Sequence, residues 1–186
     1  MKPYLGSALA ALTLSLAACG SADGDAYGEP VANTEQAGDS GLFATVGNIG
    51  ELSTAHELLR QAGLDQTFGE DAGYTLFLPS DEAFAQLPAE DLARLETEEG
   101  RPELIAILRR HIAVGAIGKE DLDSALERGD GSIEIASVAD TPIAIRTDGD
   151  DVVLGSGENA PRLTGDAEAA TDGVVYVIDG LIPPQD

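Results

Sequence analysis

The sequence predicts a single α+β domain, and three observations carry that prediction. Helical periodicity dominates the middle of the chain, strand-like alternation dominates its last third, and one short apolar run precedes most of the helices. Helices followed by strands favour an α+β arrangement over a doubly wound parallel sheet, which needs regular alternation of the two. The 186 residues are enough for one domain with extra segments, and 43% of them are hydrophobic, so a buried core can form.

Helices are predicted where apolar side chains recur every three or four residues. In the clearest case the apolar face ends at Ala62, and Gly63 follows as a helix stop. A serine before a first turn caps a helix, and a proline suits the first turn because its missing N–H needs no partner there. The predicted helices are Leu52–Ala62, a short helix capped by Ser80, a short helix opening at Pro88, Pro102–Ile112 and Lys119–Glu127.

Strands are predicted from apolar runs and from alternation of apolar with polar residues. The early run is continuously apolar, which is typical of a buried strand. In the last third, Asp148 and Gly149 form a turn signal between two alternating segments, which indicates a hairpin. The predicted strands are Tyr74–Pro79, Ile133–Ile135, Ile143–Ile145, Val152–Leu154 and Val174–Ile178.

The N-terminus has the pattern of an export signal. Lys2 precedes a 14-residue stretch from Leu5 to Ala18 that is mostly apolar and too short to span a bilayer comfortably. The stretch ends in Leu-Ala-Ala-Cys at Cys19, which resembles the bacterial lipobox. That resemblance implies cleavage before Cys19 and lipid attachment to its sulfur, and it accounts for the only cysteine in the chain. The alternative is a conventional signal peptide with an incidental cysteine.

The chain therefore divides into three predicted parts. Residues 1–18 form the lipoprotein signal peptide, residues 19–40 form the lipidated cysteine with a flexible acidic tether, and residues 41–186 form the folded domain. We expect a lipid-anchored protein of the bacterial cell envelope. Gly20 stands where an inner-membrane retention signal has Asp, and by that analogy we favour the outer membrane, on either of its faces.

Charge limits the class of partner. The chain has 34 acidic and 10 basic residues, a formal net charge of −24. Such a surface repels phosphate backbones, so no nucleic-acid partner is expected, and direct electrostatic docking onto anionic lipid is disfavoured. The charge favours solubility, and it is compatible with cations or basic partners without naming one.

Three segments in order resemble the conserved boxes of fasciclin-like domains. The first is Tyr74–Phe84 (Tyr-Thr-Leu-Phe-Leu-Pro-Ser-Asp-Glu-Ala-Phe), the second is Leu108–His111 leading to Gly115, and the third is Asp172–Pro183. The resemblance covers about residues 41–184. It implies a single fasciclin-like domain with a β-sandwich or wedge-shaped core and helices packed on its edge. It also implies adhesion or contacts with proteins and glycans at surfaces, and it supplies no reaction.

This sequence departs from the family pattern at three positions. Arg110 stands where many members have Tyr before the His, Tyr176 stands where the third box often has His, and Asp172 replaces Asn. His111 and Arg110 are the candidate partner-binding residues. For His111 two interpretations stay open: a partly buried histidine that is hydrogen-bonded inside the domain, or a direct contact with a partner.

Other reactive patterns have simpler explanations. Ser80 is a helix cap rather than a nucleophile, and Gly155–Ala160 fits Gly-x-Gly-x-x-Ala, but Pro161 disfavours the helix that a dinucleotide site requires. The acidic turn of residues 148–151 lacks the ligand spacing of a calcium loop, and a solvated hairpin is favoured, although calcium binding there stays open. Glu96, Glu98 and Glu99 are expected in a solvated loop. No cofactor, metal or catalytic residue is therefore predicted.

These patterns indicate two functions. The first is a membrane-anchored, non-enzymatic binding or adhesion module that contacts a protein or an extracellular polysaccharide or matrix. The alternative is a carrier or sensor of a small molecule or lipid, which needs an apolar pocket with a few polar groups.

Overall fold

The computed structural model describes residues 40–66, 68, 73–157 and 159–184. The predicted signal peptide and almost all of the tether, including Cys19, lie outside the described residues. The described ranges cover most of the predicted domain.

Six α-helices and seven strands make up the described part of the domain. The helices are α1 (Leu42–Asn48), α2 (Ser53–Ala62), α3 (Asp81–Ala85), α4 (Ala89–Leu95), α5 (Arg101–Arg110) and α6 (Lys119–Arg128), with a 3-10 turn at Leu64–Gln66. The strands are β1 (Tyr74–Pro79), β2 (Ile112–Val114), β3 (Ser132–Ile135), β4 (Ile143–Asp148), β5 (Asp151–Leu154), β6 (Glu168–Ala170) and β7 (Gly173–Ile178). The α+β class is thereby confirmed.

The predicted helix ends have their expected chemistry. Gly63 has a φ of 75°, the left-handed conformation that ends α2 and that glycine adopts without strain. The Ser80 hydroxyl accepts a 3.2 Å hydrogen bond from the Ala83 N–H at the start of α3. Pro102 lies in the first turn of α5.

The strands form two sheets. The larger sheet has the order β2-β1-β7-β6, in which the central pair β1 and β7 is parallel and the outer pairs are antiparallel. The smaller sheet is the antiparallel meander β3-β4-β5. Two distant segments of the chain therefore meet at the centre of the larger sheet.

Short irregular segments join the two sheets at both sides. On one side β2 pairs with the residues that follow β3. Val114 N–H donates to the Ala136 carbonyl and Val138 N–H donates to the Ile112 carbonyl, each at 2.9 Å. On the other side Leu163 N–H bonds the Val152 carbonyl of β5 at 2.9 Å, and Leu163 also bridges to Ile178 of β7. The sheets therefore form a laterally closed sandwich.

The larger sheet separates two hydrophobic cores. Side chains of a strand point alternately to its two faces, so Leu76 faces the helices, while Phe77 and Tyr176 face the smaller sheet. We call the first cluster the helical core and the second the sandwich core. The helical core is built mainly from α1, α2, α4 and α5 on the larger sheet, and the sandwich core lies between the sheets with Leu122 and Leu126 of α6.

The structure differs from the sequence-based expectation at two helix ends and in short elements that were not predicted. The predicted helix Pro102–Ile112 ends at Arg110, because the chain turns at His111 and Ile112 begins β2, paired with β1. Helix α6 runs to Arg128, one residue further than expected. Helix α1 and strand β6 were not predicted, since each is short and only Leu42 and Val46 of α1 are buried.

Candidate functional site

The second box places Arg110 and His111 at a corner where α5 turns into β2. His111 is the C-terminal cap residue of α5, and its own backbone carbonyl accepts a 2.8 Å bond from Phe77 N–H of β1. The helix end, the central strand and the edge strand meet at this residue. We call Arg110 and His111 the α5 corner.

The His111 ring lies inside the domain and bonds two separate segments. It is 1% exposed. Ile182 N–H donates to Nε2 at 2.9 Å, so Nε2 carries no proton, and Nδ1–H must donate to the Ile107 carbonyl at 2.8 Å. The neutral ring therefore ties the last turn of α5 to the C-terminal segment.

That C-terminal segment belongs to both cores. Leu181 packs against the helical core, whereas Ile182 is buried in the sandwich core. Because His111 bonds the backbone at Ile182, its ring fixes the point at which the chain crosses from one core to the other. The structure shows the internal hydrogen bonds of the first interpretation of His111, but the ring is fully rather than partly buried.

The electrostatics of the corner favour the neutral ring. Burial lowers the pKa of the His111 imidazole to about 4. The bond to the Ile107 carbonyl raises this pKa, and the positive charge of Arg110 lowers it further, but both effects are smaller than that of burial. A proton on Nε2 would also face the Ile182 N–H, so two donors would meet. At neutral pH the corner carries one positive charge, that of Arg110.

Arg110 has an unusual position for an arginine. Its side chain is half-buried, and its buried Nε has no hydrogen-bond partner among the described residues. Its neighbour Arg109 is exposed on the same last turn. Two cations at a helix C-terminus are favoured by the partial negative charge of the exposed carbonyls there.

Tyr176, another departure from the family pattern, has a structural role. Its side chain is buried, stacks on Phe77 with ring centroids 5.3 Å apart and donates a 3.0 Å hydrogen bond to the Ile117 carbonyl. Burial, followed by the carboxylates of Asp123 and Asp121, raises the pKa of its phenol above the usual value. Tyr176 therefore stays neutral and fills the sandwich core.

The third box begins with Asp172 and Gly173, and each has a packing reason. The Asp172 carboxylate accepts a 2.6 Å bond from Leu42 N–H, which caps α1. A Cβ on Gly173 would lie 2.0 Å from the Tyr74 carbonyl, so only glycine allows β7 to approach β1 this closely. Sequence analysis missed the cap because the two partners are 130 residues apart.

The remaining reactive patterns lie in loops and turns. Glu96–Glu99 and Gly155–Ala160 fall outside helices and strands, with residue 158 not described. In the turn of residues 148–151, Asp148 and Asp151 face Arg162 at 3.9 and 3.1 Å.

Within the described ranges no group of three or more His, Cys, Asp or Glu side chains is placed to hold a metal ion. Nor does this part of the chain contain a helix long and apolar enough to cross a membrane.

The fold and the α5 corner together define a class of protein. It is an α+β domain in which residues of the three boxes hold a closed sandwich and a helical layer together. The chain belongs to the Fasciclin domain family, whose model matches residues 50–184. The expected resemblance is thus confirmed for the folded part of the chain.

Relatives occur in bacteria, animals and plants. The chain is 28% identical to protein sll1483 of Synechocystis over 72% of this chain and 67% of that protein. It is 30% identical to the transforming growth factor-beta-induced protein ig-h3 of Sus scrofa over 77% of this chain, but only 20% of that protein. It is 26% identical to fasciclin-like arabinogalactan protein 8 of Arabidopsis thaliana over 70% of this chain and 30% of the relative.

A solved structure shows the same fold. A domain pair from the insect cell adhesion molecule fasciclin I superposes with a TM-score of 0.59 at 16% identity, covering 78% of this chain and 51% of that one. The chain spans a small part of its long animal and plant relatives, which therefore contain other segments beside the shared domain.

Proposed function

We propose that this protein is a non-enzymatic binding module, held at the bacterial cell envelope by lipid on Cys19, that contacts a protein or an extracellular polymer. The observation that carries the proposal is the family match across residues 50–184. Fasciclin domains occur in adhesion and extracellular proteins, and the insect relative is a cell adhesion molecule. The lipobox-like sequence before Cys19 supports the anchor.

Within this proposal the α5 corner supplies a partner contact. Arg110 presents a half-buried guanidinium, which loses less side-chain freedom on binding than a fully exposed one. Guanidinium groups pair well with carboxylates, so an acidic group of the partner suits this position. His111 acts indirectly, because its two ring bonds hold the end of α5 on which Arg110 stands.

The anchor is tested by Cys19→Ser in the native host. We expect the variant to leave the membrane fraction and to lose incorporation of labelled fatty acid, while Ser21→Ala keeps both. Separation of inner and outer membranes by density then tests the proposed outer-membrane location, and protease treatment of intact cells reports which face displays the domain. A Cys19→Ser protein that stays in membranes with its lipid label would overturn the anchor.

The binding role is tested with immobilised full-length protein. Purified exopolymer and solubilised envelope proteins of the host are passed over wild-type protein, Arg110→Ala and Arg109→Ala. We expect the wild-type protein to retain one of these two classes. Retention should fall more in Arg110→Ala than in Arg109→Ala, which makes the same change in net charge at the neighbouring residue. If neither class is retained at any salt concentration, the binding proposal fails.

A carrier of a small molecule or lipid is the second candidate, and one observation favours it. An open depression of about 360 Å³ lies between α1 and β6, and its volume is within the range of ligand pockets. Its lining is part polar and part apolar, with Ser40, Thr45, Asn48 and Glu168 beside Ile49, which suits a ligand that has both kinds of surface. Native mass spectrometry of the purified protein tests this candidate, and a bare protein mass counts against it.

A further inference from the structure

One end of the sandwich core opens to the surface beside α6. The opening leads into a cavity of about 150 Å³ between the first turns of α6, the β4–β5 turn and the segment after Leu163. The floor is formed by side chains of the sandwich core, and the rim is formed by charged side chains. The floor residues are Leu122, Val152, Leu163 and Tyr176, and the rim residues are Lys119, Asp123, Asp150 and Asp151.

The rim carries more negative than positive charge. Lys119 Nζ lies 3.1 Å from an Asp123 carboxylate oxygen, and Arg162 Nε lies 3.1 Å from Asp151. Asp150, at the tip of the turn, forms no ion pair with any described residue. Of the three carboxylates at the rim, those of Asp123 and Asp151 therefore face a cation, whereas that of Asp150 does not.

Lys119 shows what kind of group this rim accepts. Its ammonium reaches Asp123 from the neighbouring turn of the same helix, so one alkyl-ammonium chain already occupies part of the rim. The cavity of about 150 Å³ beside it leaves space for a second slender, unbranched group.

We propose that this cavity, the sandwich mouth, receives a lysine side chain of a protein partner. The four methylenes lie on the apolar floor, and the ammonium lies at the rim beside Asp150 and Asp123. Such an amphipathic side chain matches both parts of the cavity, and the net charge of −24 attracts basic surfaces. The inference rests on the proposed binding function and names the chemistry of its partner.

The test is an NMR titration of the full-length protein in detergent with the blocked tripeptide Gly-Lys-Gly. The neutral control is the same peptide with norleucine in place of lysine. We expect the lysine peptide to shift the methyl signals of Leu122, Val152 and Leu163, with an affinity that falls as salt is added. The norleucine peptide keeps the apolar chain but not the ammonium, so it should produce smaller shifts that do not depend on salt.

Variants of the rim carboxylate and the rim ammonium should have opposite effects. Asp150→Asn should weaken binding about three- to fivefold, the size expected for one exposed ion pair. Lys119→Met removes the competing ammonium and should strengthen binding by a similar factor. Arg128→Met makes the same charge change on the same helix away from the cavity, and it should leave the affinity unchanged.

Two results would overturn the proposal. One is an equal response to the lysine and norleucine peptides, and the other is an equal gain in Lys119→Met and Arg128→Met, which would indicate a general charge effect. Native-like methyl dispersion in each variant verifies folding. The tripeptide requires neither membrane attachment nor the natural partner, so failure here leaves the retention experiment with Arg110→Ala to decide the proposed function separately.

Discussion

The two cores share the strands β1 and β7 but are closed in different ways. Regular amphipathic helices cover the helical core, and two of them are capped by carboxylates from other parts of the chain. The sandwich core is closed at its sides by short irregular segments around residues 136–138 and 162–164. The sandwich core also opens into a charged cavity at one end. Regular amphipathic helices therefore cover one face of the larger sheet, whereas the face closed by irregular segments keeps an opening.

The largest expected effect tests whether the two cores unfold together. Leu76 and Phe77 are neighbours on β1, both fully buried, and they face the helical and the sandwich core respectively. Phe77→Ala and Leu76→Ala should each reduce the free energy of unfolding by about 3–5 kcal/mol, since each leaves a cavity next to a rigid sheet. Phe77→Ala also loses the stack on Tyr176.

Urea unfolding followed by two signals measures this cooperativity. Far-UV circular dichroism reports mainly on the helices, and near-UV circular dichroism reports on tyrosines such as the buried Tyr176. Because β1 and β7 serve both cores, the two signals should change in one transition in wild type and in both variants. Separate midpoints after Phe77→Ala would show that the helical core is stable without the sandwich core.

The next effect concerns His111, which links the two cores at Ile182. Its pKa is lowered to about 4 by burial, against an ordinary value of 6.5. The contribution of the neutral His111 ring to the free energy of unfolding is therefore fully present above about pH 6.5. It is lost as the pH falls toward 4, because the histidine of the unfolded chain takes up a proton at a higher pH than the buried ring does. Between about pH 7.5 and 5 this residue alone should cost wild type about 2 kcal/mol of unfolding free energy.

His111→Gln isolates that contribution. The variant removes the titrating ring, so its unfolding free energy should fall less than that of wild type over the same pH interval. His56→Gln is the matched control, since it keeps His111 and should keep the wild-type loss. The His56 ring lies elsewhere in the domain and stacks on the Phe43 ring, with the ring centroids 4.2 Å apart. Equal losses in wild type and His111→Gln would contradict the assignment of a buried neutral ring.

Sequence patterns revealed the helical side more fully than the sandwich side. The apolar face of α2, its Gly63 stop and the Ser80 cap are local signals, because a helix closes its own hydrogen bonds within four residues. The short strands β2 and β6 carry no such signal, since three residues show no clear alternation. Their pairing depends on partners far away in the chain.

The α5 corner shows the same limit at the candidate site. The second box identified His111 as a residue of interest, and one of its two interpretations was a partly buried ring that is hydrogen-bonded inside the domain. Its partner Ile182 is 71 residues away, so no local pattern could indicate which atom the ring bonds. The early end of α5 is likewise set by pairing of Ile112 with Leu76 of β1, a tertiary contact that overrides the helical periodicity.

The smallest expected effect tests the long-range cap of α2. The residue before this helix is Leu52, which has no polar side-chain atom, and the Asp81 carboxylate instead accepts bonds from Thr54 N–H at 2.7 Å and the Ser53 hydroxyl at 2.6 Å. Burial raises the pKa of Asp81, but these hydrogen bonds outweigh it and hold the value below the ordinary one. The cap is therefore fully charged at neutral pH, and its contribution is lost only as the pH falls through that lowered value.

Asp81→Ala should lower the free energy of unfolding by about 1 kcal/mol, the usual cost of losing a helix cap. Asp81→Asn keeps one acceptor oxygen and should cost less, while Asp140→Ala, an exposed acid outside the helices and strands, controls for the change in net charge. Urea midpoints at neutral pH measure all three. If Asp81→Ala and Asp140→Ala have the same midpoint, the carboxylate is not a cap in solution, and α2 would have to be held by its buried apolar face alone.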